Sequence, residues 1–77
     1  MDIRAIRYFM EVARELNITR AAENLHIAQP PLSRQIHQLE EELGVELFDR
    51  KKKKLQLTEV GQLLLHRGDQ ILTLVEK

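Results

Sequence analysis

The stretch "QPPLSRQIHQLEEELG", residues 29–44, gives the clearest structural signal in this sequence. Proline has no backbone N–H, but that donor has no partner in the first turn of a helix, and the ring already holds φ near the helical value. Pro30 and Pro31 therefore start a helix, and they keep the two residues ahead of it extended. We predict a helix over residues 30–43 that ends at Gly44, because glycine is common just past a helix end.

The periodicity of this helix separates a buried face from a polar face. At about 100° per residue, one stripe is apolar and faces the core: Leu32, Ile36, Leu39 and Leu43. Pro30, Ser33, Arg34 and His37 point away from it. A helix-turn-helix contacts the major groove with such a face near the helix N-terminus, where arginine can bond guanine and glutamine can bond adenine. We expect Gln29, Ser33 and Arg34 to cluster there, with His37 on the surface within reach of a phosphate.

The remaining segments surround this helix. Apolar spacing and turn residues predict helices over 2–16, 19–25 and 58–77 and short strands over 47–50 and 55–57. Thr19 and Thr58 are the predicted N-caps of the second and last helices, since a threonine hydroxyl can accept a bond from a free N–H of the first turn. This order predicts a mainly α domain, a winged helix-turn-helix of three helices and a two-stranded wing, followed by a long C-terminal helix.

The distribution of charge along the sequence is more informative about binding partners than the net charge. The chain has 12 basic and 12 acidic residues, and a net charge of zero argues by itself against a nucleic-acid-binding protein. However, five acids within residues 40–49 are followed by five bases at residues 50–54. The acids at 40–42 lie at the far end of the proline-started helix, where phosphate contact is unwanted, and the bases lie on the wing. A basic wing at 50–54 can contact phosphates or the adjacent minor groove.

Several functional classes are disfavoured. The chain has 77 residues and no cysteine, so we expect one small domain without disulfides or thiolate-bound zinc. The histidines have no metal-ligand spacing, and neither a nucleophile–base pattern nor a glycine-rich phosphate loop is present. We therefore predict no metal, no cofactor and no enzymatic activity. The lack of cysteine and of a recognisable signal peptide favours a cytoplasmic location. The apolar runs are shorter than the roughly 20 residues that a membrane-spanning helix needs.

The last helix is more apolar than a small core requires. Leu64, Gly68, Ile71 and Val75 keep a spacing typical of a helix-packing seam. We predict that these four residues face a partner chain and that Val60 and Leu63 face inward. The predicted division is therefore a DNA-binding domain at 1–57 and a linker or dimerisation helix at 58–77. Two copies would present two recognition helices about 34–36 Å apart.

The chain resembles the N-terminal DNA-binding domain of LysR-type transcriptional regulators. The matching pieces are "YFMEVARELNITRAAENLHIAQPPLSRQIHQLEEELGVELFDR" at 8–50 and "LTEVGQLLL" at 57–65. The resemblance implies a homodimer through the linker helix, a tetramer on promoter DNA for the full-length protein, and action on the bacterial nucleoid. It also implies a small-molecule effector that binds a C-terminal domain absent from this sequence.

The resemblance also implies contacts at individual positions. Gln29, Pro30, Pro31, Ser33 and Arg34 match the recognition-helix contacts of the family. Thr19 matches a phosphate-contacting cap, and Arg50 and Lys53 match wing contacts to the backbone and minor groove. Ala28 departs from the serine of many members, so one hydroxyl near the helix start is missing.

One alternative from another class fits the same pattern. A helical protein-interaction domain could use its basic hairpin to bind an acidic partner. Salt dependence separates this alternative from a DNA-binding domain. Counterion release makes the logarithm of the duplex-binding constant fall steeply and linearly with the logarithm of the salt concentration.

Overall fold

The computed structural model describes residues 2–51 and 53–76. Its elements are α1 (Ile3–Glu15), α2 (Ile18–Leu25), α3 (Gln29–Leu43), β1 (Phe48–Asp49), β2 (Gln56–Leu57) and α4 (Glu59–Glu76). The two strands pair antiparallel, with Phe48 opposite Leu57. The predicted architecture, a mainly helical winged helix-turn-helix followed by a long helix, is confirmed. Among the described residues, no helix is both long and apolar enough to cross a membrane.

The corner between α1 and α2 differs from the prediction. Leu16 ends α1 with a left-handed backbone (φ 49°), and Asn17 then caps α2 by accepting a bond from the Arg20 N–H at 3.0 Å. The prediction that Thr19 is the cap is therefore wrong. Asparagine is among the strongest N-caps, and the reversal at Leu16 leaves Asn17 extended at the helix start. Thr19 lies inside the first turn of α2, and its side chain is exposed.

The turn into α3 is short and firmly closed. His26 adopts a left-handed conformation (φ 59°), and its N–H bonds back to the end of α2. Ala28 is extended and is the N-cap of α3, without a side-chain capping bond. Helix α3 begins one residue earlier than predicted, so Gln29 is helical rather than extended. Because Pro30 and Pro31 have no N–H, Gln29 has the one backbone donor among the first three helical positions.

The core lies where α1, α2, α3 and the base of the wing meet. The rings of Phe9 and Phe48 pack at a centroid distance of 5.4 Å and are tilted by 51°, which is a favourable aromatic arrangement. The predicted core stripe of α3 is confirmed for Leu32, Ile36 and Leu39, which are fully buried. Leu43 is 37% exposed, so its assignment to the core is wrong: the last turn of α3 extends past the core.

The wing, meaning the hairpin of β1, β2 and their connecting turn, has shorter strands than predicted. The Asp49 carboxylate accepts a bond from the Lys51 N–H at 3.0 Å and so stabilises the turn. Phe48 joins the core at one end of β1. The base of the hairpin is closed by the Thr58 N–H, which donates to the Leu47 carbonyl at 3.0 Å. The wing is therefore fastened at its base, and its basic turn extends from it.

Helix α4 begins as predicted. The Thr58 hydroxyl accepts a bond from the Gly61 N–H at 3.0 Å and donates to the Glu46 carbonyl at 2.7 Å, so the Thr58 cap is confirmed. Gly61 lies directly against the carbonyl of Leu47. A side chain at this position would collide with backbone, and glycine therefore allows α4 to start beside the wing.

The face that α4 presents to the core is the reverse of the predicted one. Leu64 and Ile71 pack against the core, and an added Cβ at Gly68 would lie 2.5 Å from the Met10 Sδ of α1. Val60 and Leu63 are 41% and 56% exposed. The spacing correctly identified a packing face, but α1 of the same chain covers it. Of the predicted seam, Val75 alone is largely exposed, at 54%.

Candidate nucleic-acid interface

The polar face of α3 is exposed at its N-terminal end. Gln29, Pro30, Arg34 and His37 are exposed, whereas Pro31 and Ser33 are half-buried. The opposite face of the same turns holds Leu32 and Ile36 in the core. Burial of those two side chains fixes the rotation of the helix, so the polar face must point outward. Of the side chains predicted to contact DNA from α3, four are therefore accessible and two are partly covered.

The start of α2 and the base of the wing lie beside this surface. Ile18, Ser33, Arg50 and Leu55 line one cavity of about 290 Å³ between α2, α3 and the wing. Thr19 follows Ile18 in the first turn of α2 and is exposed. Among the described residues, the Thr19 hydroxyl makes no hydrogen bond. It is thus available to a phosphate, although it does not cap the helix.

Arg50, predicted as a wing contact, is bound within the protein. Its guanidinium forms a two-point ion pair with Glu40, with Nη2 3.1 Å from Oε1 and Nη1 3.3 Å from Oε2. It also lies over the Phe48 ring, 5.9 Å from the centroid. The Arg50 side chain remains 39% exposed. Arg50 therefore joins the wing to α3, and its contact with DNA stays a prediction.

Glu40 is the residue of this region that sequence reasoning missed. The sequence groups it with the acids at the far end of α3, where phosphate contact is unwanted, but its side chain is only 9% exposed. Its carboxylate accepts bonds from the Leu47 N–H at 2.7 Å and the Phe48 N–H at 3.3 Å as well as from Arg50. A signal was present in the sequence: Glu40 follows Ile36 by four residues, which places it on the core side of α3.

The pKa of Glu40 reflects two opposing effects. Burial raises the pKa of the carboxyl, whereas the Arg50 hydrogen bond and charge, together with the Leu47 and Phe48 N–H groups, lower it. The net result is a pKa below the ordinary value of 4.5. The His37 Nδ1 lies 3.7 Å from the same carboxylate. Glu40 is therefore a charged, fully engaged group at neutral pH.

The basic and acidic parts of this region are well separated. Lys51, Lys53 and Lys54 are exposed on the wing, and the predicted contact Lys53 is thus accessible. Glu41 and Glu42 are exposed near the end of α3, roughly 10 Å along the helix from Arg34 at 1.5 Å per residue. The arrangement favours an anionic partner at the N-terminal end of α3 and disfavours one at the C-terminal end.

A second exposed surface is apolar. Leu43, Val45, Val60 and Leu63 line a groove of about 340 Å³ between the end of α3 and the start of α4, with Arg67 at its edge. Leu47 and Leu64, which contact the core, also line this groove. Within residues 2–51 and 53–76, no cluster of three histidine, aspartate or glutamate side chains could hold a metal ion.

These features define a winged helix-turn-helix domain with a polar recognition helix and a basic wing. Residues 3–62 match the family model described as bacterial regulatory helix-turn-helix protein, lysR family. The chain belongs to this family, and the resemblance inferred from the sequence is confirmed.

Relatives of this chain are named as transcriptional regulators. The regulator BsdA of Bacillus subtilis (strain 168) is 60% identical over 73 residues, which is 94% of this chain and 25% of BsdA. A probable cat1 operon transcriptional activator of Acinetobacter lwoffii is 56% identical over 77 residues, 100% of this chain and 25% of that protein. The chain thus spans about a quarter of their length. These names confirm the prediction that the domain is not an enzyme.

Solved structures share the fold. A crystal structure of the BenM DNA-binding domain on catB site 1 DNA matches with a TM-score of 0.94 and 43% identity, over 99% of this chain and 85% of that one. Full-length BenM matches with a TM-score of 0.92 and 43% identity, over 99% of this chain and 25% of that one.

Proposed function

We propose that this chain is the sequence-specific, double-stranded-DNA-binding domain of a LysR-type transcriptional regulator. One observation is the main support: the polar side of α3 and the base of the wing meet at one cavity, which Ser33 and Arg50 both line, and the lysines of the wing are exposed. A domain of the same fold and 43% identity has been crystallised on DNA. In this proposal α3 enters the major groove and the wing lies along phosphates or in the adjacent minor groove.

Exposure suggests a role for each side chain. Gln29 and Arg34 are exposed in the N-terminal turns of α3 and have two-point donor or acceptor geometry, so we assign them to base edges. Thr19, Ser33 and His37 have single polar groups suited to phosphate. Lys53 supplies charge from the wing. Pro30 and Pro31 set the position at which α3 begins, and they contact the sugar-phosphate surface through their rings.

Specific binding requires a second copy of the chain. Each chain has one recognition helix, and two major-groove half-sites lie about 34–36 Å apart, so one chain contacts one half-site. We assign residues 1–57 to DNA contact and residues 58–77 to a linker and dimerisation helix. The apolar groove at the start of α4 and the exposed Leu74 and Val75 give this helix a face for its partner.

The larger protein is proposed from the length of the relatives. Since this chain spans about a quarter of BsdA, the remaining three quarters leave room for a C-terminal effector-binding domain. We infer that the whole regulator binds promoter DNA as a tetramer, responds to a small molecule through that domain, and acts on the nucleoid in the bacterial cytoplasm.

The test is a DNA titration across salt concentrations. A preferred duplex is first selected from a random pool, and its affinity is then compared with that of a scrambled duplex by fluorescence anisotropy. We expect log K for the selected duplex to fall steeply and linearly with log salt, with weaker binding to the scrambled one. An acidic polyglutamate peptide serves as the competitor for the alternative, a protein-interaction domain. Equal, weak binding to both duplexes, or stronger binding to the peptide, would contradict the proposal.

A further inference from the structure

We propose that Glu40 is a positioning residue that holds the wing in its DNA-contacting orientation relative to α3. This inference rests on the proposed function and extends it to a residue that does not touch DNA. Glu40 belongs to the recognition helix, yet all four of its short hydrogen bonds go to residues of the wing base: to the N–H groups of Leu47 and Phe48 and to both terminal nitrogens of Arg50.

The carboxylate is placed to fix an orientation. It bonds backbone at the entry to β1 and side chain at the exit from β1, so it holds both ends of a two-residue strand. Bonds to a charged acceptor are shorter and stronger than neutral ones, and the two-point Arg50 pair also restricts rotation. A neutral isostere could keep part of the backbone bonding, but it would lose the Arg50 pair.

The other contacts of the wing lie at its base and are apolar or main-chain contacts. Its strands have two residues each, and the connecting segment 44–46 is exposed. Leu47 and Phe48 are buried in the core, Leu57 packs against it, and the Thr58 N–H bonds to the Leu47 carbonyl, so the base of the hairpin is held by apolar and backbone contacts. Arg50 at the strand end lies over the Phe48 ring and is held there by Glu40. Removing the carboxylate should therefore leave the base of the wing packed but free Arg50, and with it the orientation of the basic turn that follows β1.

The competing explanation is that Glu40 only repels phosphate. Its side chain is 9% exposed and its oxygens are already bonded, so it presents little charge to a ligand. Glu41, the next residue, is exposed and provides a matched control. Glu40→Gln and Glu41→Gln remove the same charge from the same turn of α3, but Glu40→Gln alone removes the pair with Arg50.

The experiment is a double-mutant cycle with the wing lysines. Lys53→Ala/Lys54→Ala is introduced into the wild type, Glu40→Gln and Glu41→Gln, and the salt slope of duplex binding is measured. In the wild type and in Glu41→Gln we expect the slope to fall by about 2, roughly one for each lost phosphate contact. In Glu40→Gln the same replacement should change the slope by less than about 0.5, because the wing no longer reaches the phosphates.

Additive behaviour would overturn the inference. If the lysine replacement lowers the slope equally in all three backgrounds, Glu40 contributes to stability and not to wing position. Thermal melting establishes that each variant is folded at the assay temperature. Where Glu40→Gln is not folded, Glu40→Asp replaces it in the cycle, since it keeps the charge but shortens the reach.

A second measurement does not depend on DNA. Amide hydrogen exchange at Leu47 and Phe48 should accelerate at least about tenfold in Glu40→Gln and remain unchanged in Glu41→Gln, because these N–H groups lose a charged acceptor. Unchanged exchange in Glu40→Gln would contradict the inference even if DNA binding were lost. If the wild-type domain showed no steep salt slope, that result would contradict the proposed function. The amide exchange rates would still test the role of Glu40, because they do not depend on DNA.

Discussion

At the scale of single residues, two arginines of the interface have different surroundings. Arg50 is paired with Glu40 and partly covers Phe48. Arg34 is exposed, and among the described residues it makes no ion pair. A guanidinium without an internal partner keeps all its donors for a ligand. Arg34 is therefore the residue best suited to two-point recognition of a base.

Replacing Arg34 tests this role. Arg34→Ala should weaken binding to the selected duplex by about 1–3 kcal/mol and relax the preference at one base position. Arg34→Lys should retain non-specific affinity but lose that preference, because an ammonium cannot make the two-point contact. Affinities for all four bases at each position of the duplex are the measurement. Uniform weakening across every sequence would show that Arg34 binds phosphate.

Gly68 allows a test of the packing between α4 and α1. Alanine is favoured over glycine in a helix by roughly 1 kcal/mol, but its Cβ would lie 2.5 Å from the buried Met10 Sδ. Overpacking should prevail, so we expect Gly68→Ala to lower the free energy of unfolding by about 1–2 kcal/mol in urea denaturation. In a Met10→Ala background the same change should no longer destabilise. An equal loss in both backgrounds would show that the contact with Met10 is not the cause.

At the scale of elements, the row of acids at the end of α3 and in β1 consists of two kinds of residue. Glu40 is buried against the wing base, and Asp49 stabilises the wing turn. Glu41, Glu42 and Glu46 are exposed. The acidic cluster seen in the sequence is thus partly an internal connection between α3 and the wing.

The pairing of Glu40 with Arg50 and the wing base should make the free energy of unfolding depend on pH in the acid range. The pKa of Glu40 is lower in the folded chain, so its stabilisation is fully present above the unfolded value near 4.5 and is lost as pH falls through the lower, folded value. Glu40→Gln should lower the free energy of unfolding at pH 7 by about 1.5–3 kcal/mol, with the difference from wild type shrinking below about pH 4.5. Urea denaturation from pH 7 to pH 3 measures this, with Glu41→Gln as the control. A difference independent of pH would contradict it.

At the scale of the whole molecule, α4 has two faces with different surroundings. Its inner face completes the core through Leu64, Gly68 and Ile71. Arg14 of α1 also pairs with Asp69 at 2.8 Å. The opposite face leaves Val60 and Leu63 exposed beside an apolar groove. The proposed dimer therefore uses the outer face, because the inner one is occupied.

A charge on the outer face should separate the dimer. We expect Leu63→Glu to weaken self-association by at least about tenfold, since burying a leucine is worth roughly 1.5–3 kcal/mol and a buried carboxylate adds a penalty. Analytical ultracentrifugation over a concentration series gives the dissociation constant. Leu16→Asn, at an exposed leucine at the end of α1, is the control and should leave association unchanged. An unchanged dimer in Leu63→Glu would place the interface elsewhere.

Features set by neighbouring residues were predictable from the sequence. Two prolines start α3, Gly44 ends it, and Thr58 caps α4, because each acts on backbone within one turn. The fold followed from these signals and from the periodicity of apolar residues. The Thr19 prediction shows the limit of local evidence, because Asn17, two residues before the predicted start of α2, is the stronger cap.

Contacts between distant residues could be established only from the folded chain. Helical spacing shows which residues share a face, but not which element covers that face. Gly68 meets Met10 from 58 positions earlier, and α4 therefore turns Leu64 inward and Leu63 outward. Glu40 meets Arg50 across ten positions, which converts one acid of a charged row into a buried partner of the wing. Local chemistry specified the elements of this domain, whereas their packing specified which charges and apolar side chains remain exposed to a partner.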